Sequence, residues 1–298
     1  MKLSILTATY NRASLLKKLY DSIIKNLNSG LDVEWLIMDD GSKDDTAEVV
    51  QEFINEGKIE INYKHQENKG KMSAINNLVQ FVTGDLVVEC DSDDYFTDNA
   101  FETIKNAFEK TNKQGLYGIC FLKQKENGNI DGTTFKNEKS TMFDLYFKES
   151  ATGEKSIVYY AEVRKKYKNE IENNEKFVTE ARMYHKMDEL YKLKCVNEPI
   201  AVGEYQENGY TNNIIKIFKE NPYGYFKYFE EILQKDFNGV TWKKRLYAIK
   251  HYILFAVMTK QRLNIKKVKN LSNKILLSIL FVPGKIKSEK FNSKKAWN

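Results

Sequence analysis

The chain has 298 residues, 42% hydrophobic and 30% charged, which excludes a disordered chain and leaves room for one large domain or a domain with an appendage. Its three cysteines, Cys90, Cys120 and Cys195, have no paired or C-x-x-C spacing, so neither a disulfide framework nor a zinc cluster can be read from them, and a reducing compartment is expected. The net charge of +6 conceals an asymmetry: residues 240–298 hold fifteen Lys/Arg and one acid, a balance of +14, and the residues before them hold 32 bases and 40 acids, a balance of −8. A mildly acidic body with a strongly cationic tail points to an anionic partner, either nucleic acid or a membrane surface.

The N-terminal run MKLSILTATYN lacks the length and layout of a secretory signal and reads as a first buried strand, 3–8. Leu15, Leu16, Leu19, Ile23, Ile24 and Leu27 then share one helical face. A second buried strand over 33–38 ends in the turn composition Asp39-Asp40-Gly41-Ser42, followed by a helix carrying Val49, Val50, Phe53 and Ile54. A strand over 59–63, a polar loop, a helix with Ile75, Leu78, Val79 and Val82, and a strand over 86–90 complete the first half. This alternation predicts an α/β fold with a mostly parallel sheet, whose ligands sit at the carboxyl ends of the strands. The clusters 7–11, 39–42 and 91–94 all fall at that edge. After an amphipathic helix over 101–111 the pattern is irregular to about residue 213, with a strand candidate at 116–122 and a helix candidate at 177–191. From Ile214 the chain reads as helices, including 223–234 and 242–258. The apolar run from Ile275 to Val282 is interrupted by Ser278 and far shorter than the ~20 residues of a membrane span, so a soluble or peripheral protein is expected.

The sharpest chemical signal is Glu89-Cys90-Asp91-Ser92-Asp93-Asp94 after an apolar strand. Carboxylates this crowded repel unless a cation neutralises them, and Mg²⁺ or Mn²⁺ shared with a diphosphate suits an Asp-x-Asp at a strand end. The same residues also suit a solvated acidic turn capping the next helix. Asp40 can accept hydrogen bonds from a base or ribose, or serve as part of a turn and cap. Thr7, Ala8, Thr9, Tyr10 and Asn11 can bring backbone amides and a ring to a nucleotide. Asn68-Lys69-Gly70-Lys71 precedes a helix whose N-terminus and lysines favour phosphate, and a solvated basic loop is the alternative.

In order and spacing, the stretches Ser4–Arg12, Ile37–Ser42, Asn68–Gly70, Asn76 and Asp91–Asp94 together resemble the family 2 glycosyltransferases, which have the GT-A fold. The resemblance implies a GT-A catalytic domain over 1–215, with a nucleotide-sugar half at about 1–110 and an acceptor half at about 111–215; it does not extend to 216–298, which charge and pattern mark as a basic amphipathic helical region. By the same resemblance Thr7, Thr9 and Asp40 hold the nucleoside, with Ala8, Tyr10, Asn11, Lys71, Asp91 and Ser92 in the nucleotide site. Asp91 approaches ribose or metal, and Asp93 is the main ligand of Mn²⁺ or Mg²⁺. Inverting members place a catalytic carboxylate in a Glu-Asp pair opening a helix; here the segment reads Phe177-Val178-Thr179-Glu180-Ala181-Arg182, so the pair is incomplete. Either Glu180 is the base or Ala181 stands where an Asp is expected; the reading adopted is Glu180, with His185 as a lesser candidate. Tyr205–Thr211 resembles a segment that closes over the donor.

The implied activity is inverting transfer of a sugar, with a UDP-linked hexose or N-acetylhexosamine expected, to a glycan or polyprenyl-linked acceptor in bacterial surface polysaccharide synthesis. In the tail, Trp242, Leu246, Ile249, Ile253, Leu254 and Val257 with Lys243, Lys244, Arg245 and Lys250 read as a basic amphipathic helix on anionic lipid, or as a helix packed on the protein with a solvated basic side. A cytoplasmic enzyme at the inner face of the membrane follows, with no nucleic-acid partner. The rival class is a non-enzymatic α/β protein that binds nucleic acid or membrane through the tail, although no nucleic-acid motif accompanies it.

Overall fold

The computed structural model describes residues 1–203 and 213–293, which fall into two compact units. The first comprises 1–169 and 186–207, and the second 170–185 and 208–298.

The first unit is built on one sheet. Its first half alternates β1 (Lys2–Thr9), α1 (Ala13–Lys25), β2 (Asp32–Asp39), α2 (Thr46–Glu56), β3 (Glu60–His65), α3 (Lys71–Leu78) and β4 (Leu86–Glu89). There follow β5 (Tyr95–Phe96), α4 (Ala100–Glu109), β6 (Leu116–Lys125), β7 (Lys139–Ser140), β8 (Lys155–Tyr160), α5 (Ala161–Arg164), α6 (Ala181–Met187), which runs across the division between the units, and β9 (Lys192–Gly203). The strand order is β3-β2-β1-β4-β8-β6-β9-β5, with β7 on β9. β1 to β4, β6 and β9 run one way and β5, β7 and β8 the other, so the sheet is mostly parallel. β2 lies on one side of β1 and β4 on the other, so the strand order reverses at β1 and a crevice opens at the carboxyl ends of β1 and β4.

β1, β2 and β4 are buried along nearly their whole length, which is why they read as largely apolar runs rather than alternating ones, whereas the edge strand β3 is only partly covered. Helix α1 buries Leu16, Leu19, Tyr20 and Ile23, and α4 buries Phe101, Ile104 and Phe108, each at three- and four-residue spacing. These side chains join Leu3, Ile5, Trp35, Ile37 and Val88 in the core of the unit. Within it Tyr20 stacks on Phe53 at 4.1 Å and on Trp35 at 6.2 Å between ring centroids. Helix α3 packs against β1 and β2.

The strand expected at 116–122 is β6, and the stretch otherwise expected to be irregular also contains β8 and β9, paired with β6 from far away in sequence. The helix expected over 177–191 is confined to Ala181–Met187. Beyond it the Asp188 carboxylate accepts the N–H groups of Met142 and Phe143, at 3.1 and 3.0 Å, and Lys192 N–H joins Gly115 O, committing the chain to β9.

The second unit is helical in its later part: α7 (Ile214–Glu220), α8 (Pro222–Ile232), α9 (Trp242–Thr259) and α10 (Leu271–Ser293). Phe218, Tyr225, Phe229 and Phe255 form an aromatic cluster, with Tyr225 stacked on Phe255 at 5.1 Å. Glu175 caps α8, its carboxylate accepting Tyr223 N–H and Gly224 N–H, both at 2.7 Å. The buried Arg182 guanidinium grips both carboxylate oxygens of Glu231, at 3.0 and 2.6 Å. The apolar side of α9 is used inside this unit: Ile249, Tyr252, Ile253 and Phe255 are buried, and the helix packs against α8 and α10. Of the side chains expected to form its lipid-facing stripe, Ile249 and Ile253 are therefore core residues, and only Trp242 is exposed. No helix among the described residues is long and apolar enough to cross a membrane.

A buried acid ties β2 to β1 and to the approach to β4. Glu34 on β2 accepts from Ser4 Oγ, from Thr83 N–H at 2.7 Å and from Thr83 Oγ1, and pairs with Lys2 Nζ at 3.0 Å. Desolvation raises its pKa, but the Ser4 and Thr83 bonds and Lys2 outweigh it and hold the carboxyl down at about 2. A carboxyl whose pKa falls on folding adds stability above its unfolded value, stability that is lost as pH drops toward the folded one. Glu34→Gln should lower stability at pH 7 by about 1–3 kcal/mol. It should also flatten the decline of the urea midpoint between pH 4.5 and 2. An unchanged acid branch in the variant would assign that decline to other groups.

Candidate active site

Four loops at the carboxyl edge of the first unit's sheet are tied to one another by main-chain and side-chain bonds. The first follows β1. Asn11 sits in the left-handed region at φ 52°, donates its N–H to Ser42 Oγ at 2.9 Å and accepts Lys43 N–H on Oδ1 at 2.8 Å. The second follows β2, where Asp39 accepts Ser42 N–H at 2.7 Å and Tyr63 O–H at 2.7 Å. Gly41, at φ 87°, makes that turn, and a Cβ there would stand 3.0 Å from Asn68 N. The third loop leads into α3. Asp40 is buried and takes Lys69 N–H and Gln66 Nε2 on one oxygen, at 2.8 and 2.7 Å, and Gly70 N–H on the other, at 2.8 Å.

The fourth loop is the acidic one, and each of its aspartates is paired with a cation from a different element. Asp91 meets Lys71 Nζ, the first residue of α3, at 2.6 Å. Asp93 meets Arg12 Nη1, before α1, at 2.9 Å, and the same nitrogen lies 3.3 Å from Ser92 Oγ. Asp94 meets Lys123 Nζ, on β6, at 2.6 Å, and Lys123 also reaches Glu154 at 3.0 Å. The crowding expected from the sequence is thus relieved by three basic side chains of the protein itself. Desolvation pushes the Asp91 carboxyl up, but the positive charges of Lys71, Lys123 and Arg12 outweigh it and hold it below its ordinary value. For Asp93 desolvation prevails over Arg12, and Asp91's negative charge adds to it, so this carboxyl is raised. Asp94 is raised to about 6, again by desolvation, which Lys123 opposes and Asp91 reinforces.

The sequence-selected residues are therefore differently placed. Thr7 is fully buried and its hydroxyl accepts the Trp35 indole N–H at 3.0 Å, so its side chain belongs to the core. Ala8 is part-buried, and Tyr10 and Asn11 are exposed on the first loop. Thr9 is buried with no hydrogen-bond partner for Oγ1 among the described residues, an orphaned polar atom at the mouth of the crevice. Asp40, Lys71, Asp91, Ser92 and Asp93 all lie on the second to fourth loops or on α3's first turn. Arg12, Lys123 and Gln66 were not singled out in the sequence. Arg12 stood inside a matching stretch, but Lys123 carries only the weak local mark of a cation closing an apolar strand.

Glu180 lies in the second unit. It directly precedes α6, its carbonyl accepts Met183 N–H at 2.9 Å, and its carboxylate accepts Tyr184 O–H at 2.6 Å. His185 is buried, stacks with Tyr228 at 5.7 Å, and has its pKa pushed down to about 3 by desolvation and then by Lys235's charge. A ring so reluctant to hold a proton is a poor base at neutral pH. Tyr205–Thr211 lies outside the described residues.

Among the described residues no set of three His, Cys, Asp or Glu side chains converges as a metal cage. A divalent ion that bridges a diphosphate needs only one or two protein carboxylates, and the hard oxygens of Asp91 and Asp93 match that demand. The donor set therefore fits Mg²⁺ or Mn²⁺ supplied together with a phosphate ligand.

An open α/β sheet binds its ligands in the crevice where the strand order reverses, and here the Asp-x-Asp loop lies at that reversal. Residues 4–179 match the family model of glycosyl transferase family 2, and the chain belongs to that family and is a glycosyltransferase. It is 28% identical over 237 residues to the uncharacterized glycosyltransferase MG060 of Mycoplasma genitalium, covering 76% of this chain and 70% of that protein. Other curated relatives match over less than half of their own length. In fold the chain is similar to Staphylococcus aureus TarS 1–349 in complex with UDP-GlcNAc, with a TM-score of 0.59 at 16% identity, covering 98% of this chain and 90% of that one. It is similar too to the mannosyltransferase PcManGT of Pyrobaculum calidifontis in complex with GDP-Man and Mn²⁺, with a TM-score of 0.56 at 14% identity, covering 97% and 83%. The fold is thus GT-A with C-terminal helices. The family match sets aside the reading as a non-enzymatic binding protein.

The unpartnered hydroxyl makes a separable prediction. Thr9→Val removes a buried polar atom that bonds nothing among the described residues, so the melting temperature should hold or rise slightly. Nucleotide binding should weaken about tenfold, ~1.4 kcal/mol, for the lost hydrogen bond. Calorimetric titration with UDP and GDP reads the second effect; unchanged affinity for both would put the hydroxyl outside the nucleotide site.

Proposed function

We propose that this enzyme transfers a hexose or N-acetylhexosamine, with inversion, from a UDP-sugar to a glycan or polyprenyl-linked acceptor in bacterial surface polysaccharide synthesis. The observation that carries the reading is the charge-balanced acidic loop at the strand reversal, beside the orphaned Thr9 hydroxyl. The TarS complex with UDP-GlcNAc supports the choice of donor class. The position of Asp91 and Asp93 and the Mn²⁺ in the PcManGT complex support a metal-assisted reaction.

In this reading Thr9, Tyr10, Asn11 and Asp40, with the loop that Asp40 holds, surround the nucleoside, and Asp91, Ser92 and Lys71 face its ribose and phosphates. Asp93 and Asp91 hold Mn²⁺ or Mg²⁺, which when bound neutralises the charge that grows on the departing diphosphate. Glu180 takes the proton of the attacking acceptor hydroxyl. The new bond forms between the acceptor oxygen and the anomeric carbon as the bond from that carbon to the phosphate oxygen breaks, so attack from the opposite face inverts the centre. The Tyr184 hydroxyl, which donates to the Glu180 carboxylate at 2.6 Å, orients it. Work at the inner face of an anionic membrane, through the +14 region 240–298, accords with a lipid-linked acceptor.

A donor screen for release of UDP, GDP or deoxythymidine diphosphate from labelled nucleotide sugars, with and without Mn²⁺, tests the donor class. UDP release should predominate and require the ion; release of GDP alone would overturn the donor assignment. Asp93→Asn should abolish transfer and weaken ion-dependent nucleotide binding with the fold intact, and full turnover in excess EDTA would remove the metal from the mechanism. Glu180→Gln should cut turnover about 10²–10⁴-fold with donor affinity nearly unchanged. An active Gln variant beside a dead variant of another carboxylate would reassign the base.

A further inference from the structure

Helix α10 is apolar on two opposite sides, and only one of them is covered. Its inner side, with Leu276, Leu277 and Ser288 buried, packs against α9. The contact is close: a Cβ added at Gly284 would stand 3.1 Å from Ile253. The other side carries Leu271, Ile275, Ile279, Val282 and Ile286, three, four or seven residues apart, with 71%, 54%, 65%, 63% and 52% of their surfaces exposed. This spacing is that of one stripe along a helix, about 22 Å long at 1.5 Å per residue. Single exposed apolar residues are ordinary, but a continuous stripe of five marks a surface that something covers.

We propose that this outer side of α10 is the element that lies on an anionic lipid surface, in the plane of the headgroups; the proposal rests on the reading above that the enzyme works at a membrane. Charge selects the occupant. Residues 260–288 contain eight Lys/Arg and no acid, and the exposed Lys285 and the partly exposed Lys274 sit within the helix that bears the stripe. A second copy docked stripe to stripe would bring these lysines together with no run of acids to meet them, because Glu289 is the helix's one carboxylate. Anionic headgroups would neutralise them, each basic residue adding to the attraction of the buried apolar stripe.

A second feature of the same helix pair points to the same chemistry. A cavity of about 290 Å³ opens between α9 and α10, walled by Ile253, Leu254, Leu280 and Pro283, with Lys250 and Lys287 among its lining residues. Apolar walls with two amines suit an acyl segment and its anionic head. The helix also has features of one that lies flat rather than spans: Pro283 interrupts its hydrogen-bond ladder, and its apolar run is too short to cross.

The test is sedimentation of the full chain with vesicles of phosphatidylcholine alone and of phosphatidylcholine with 30% phosphatidylglycerol. The comparison protein is the quadruple variant Ile275→Gln, Ile279→Gln, Val282→Gln and Ile286→Gln. These side chains are exposed, so circular dichroism and melting temperature should match the wild type. The wild type should bind the anionic vesicles and release at high salt, and the variant's partition coefficient should fall at least tenfold. A variant that binds as the wild type does would overturn the assignment to α10 and leave the membrane reading standing on charge alone. A wild type that ignores anionic vesicles would overturn both. A wild-type dimer that the four substitutions dissociate, without vesicle binding, would assign the stripe to a second copy instead.

Discussion

The candidate site depends on how three aspartates are kept close together. Asp91, Asp93 and Asp94 follow one short strand, and unrelieved repulsion there would open the loop. Lys71, Arg12 and Lys123 relieve it from α3, from the approach to α1 and from β6. The acidic loop is thereby fastened to three separate elements of the first unit and cannot be moved without breaking an ion pair. Truncating one partner of such a half-buried pair costs more than the pair contributes, because it leaves the other charge uncompensated. The loop that looks on paper like the least stable part of the sheet edge is therefore one of its ties.

The same economy of contact explains the neighbouring loops. Asp39 and Asp40 stand side by side in sequence and act in different directions. Asp39 closes its own turn and fixes Tyr63, whereas Asp40 reaches across to hold Lys69 and Gly70 by their backbone N–H groups. The first N–H groups before α3 are thus held in place, and Lys71 is delivered to Asp91. The Asp40 oxygen that accepts only Gly70 N–H can take a further bond. Holding the loop does not use up its capacity to meet a ligand.

What could be read in advance followed the range of the interactions. The strands β1, β2 and β4 were legible because both sides of each are covered, so that Trp35–Met38, for example, reads as an unbroken apolar run. β9 was not, since Asn197, Glu198 and Pro199 interrupt it and its pairing with β6 slips register near Leu122, features no local pattern carries. The helix expected to run to Tyr191 stops short because Asp188 is claimed by backbone N–H groups from residues 142 and 143. At the site, Asp93 announced itself by its neighbours, while its partner Arg12 lies 81 positions away and Lys123 lies 29 from Asp94. Thr7 and Thr9 looked alike in the sequence, but the indole of Trp35 takes one and nothing among the described residues takes the other. The basic amphipathic helix α9 was legible as a helix, and its role was not, because the aromatic side chains of α8 that cover it become adjacent only on folding.

Charge balance also bears on how a donor enters. A nucleoside diphosphate brings negative charge and a divalent ion brings two positive charges, and the acidic loop with its three cations is already close to neutral. Either ligand alone would unbalance a partly desolvated site, where an uncompensated charge is costly. The two arriving together leave the balance as it was. On the reading proposed above, ion and donor therefore bind with positive coupling, and the coupling is reciprocal by thermodynamic necessity. It also gives Arg12 a use beyond fastening Asp93: its guanidinium, five donors in a fixed fork, is suited to shift from a carboxylate to a phosphate as the ion takes its place. The ion pairs that hold the loop when it is empty would then be the same groups that receive the diphosphate when it is full.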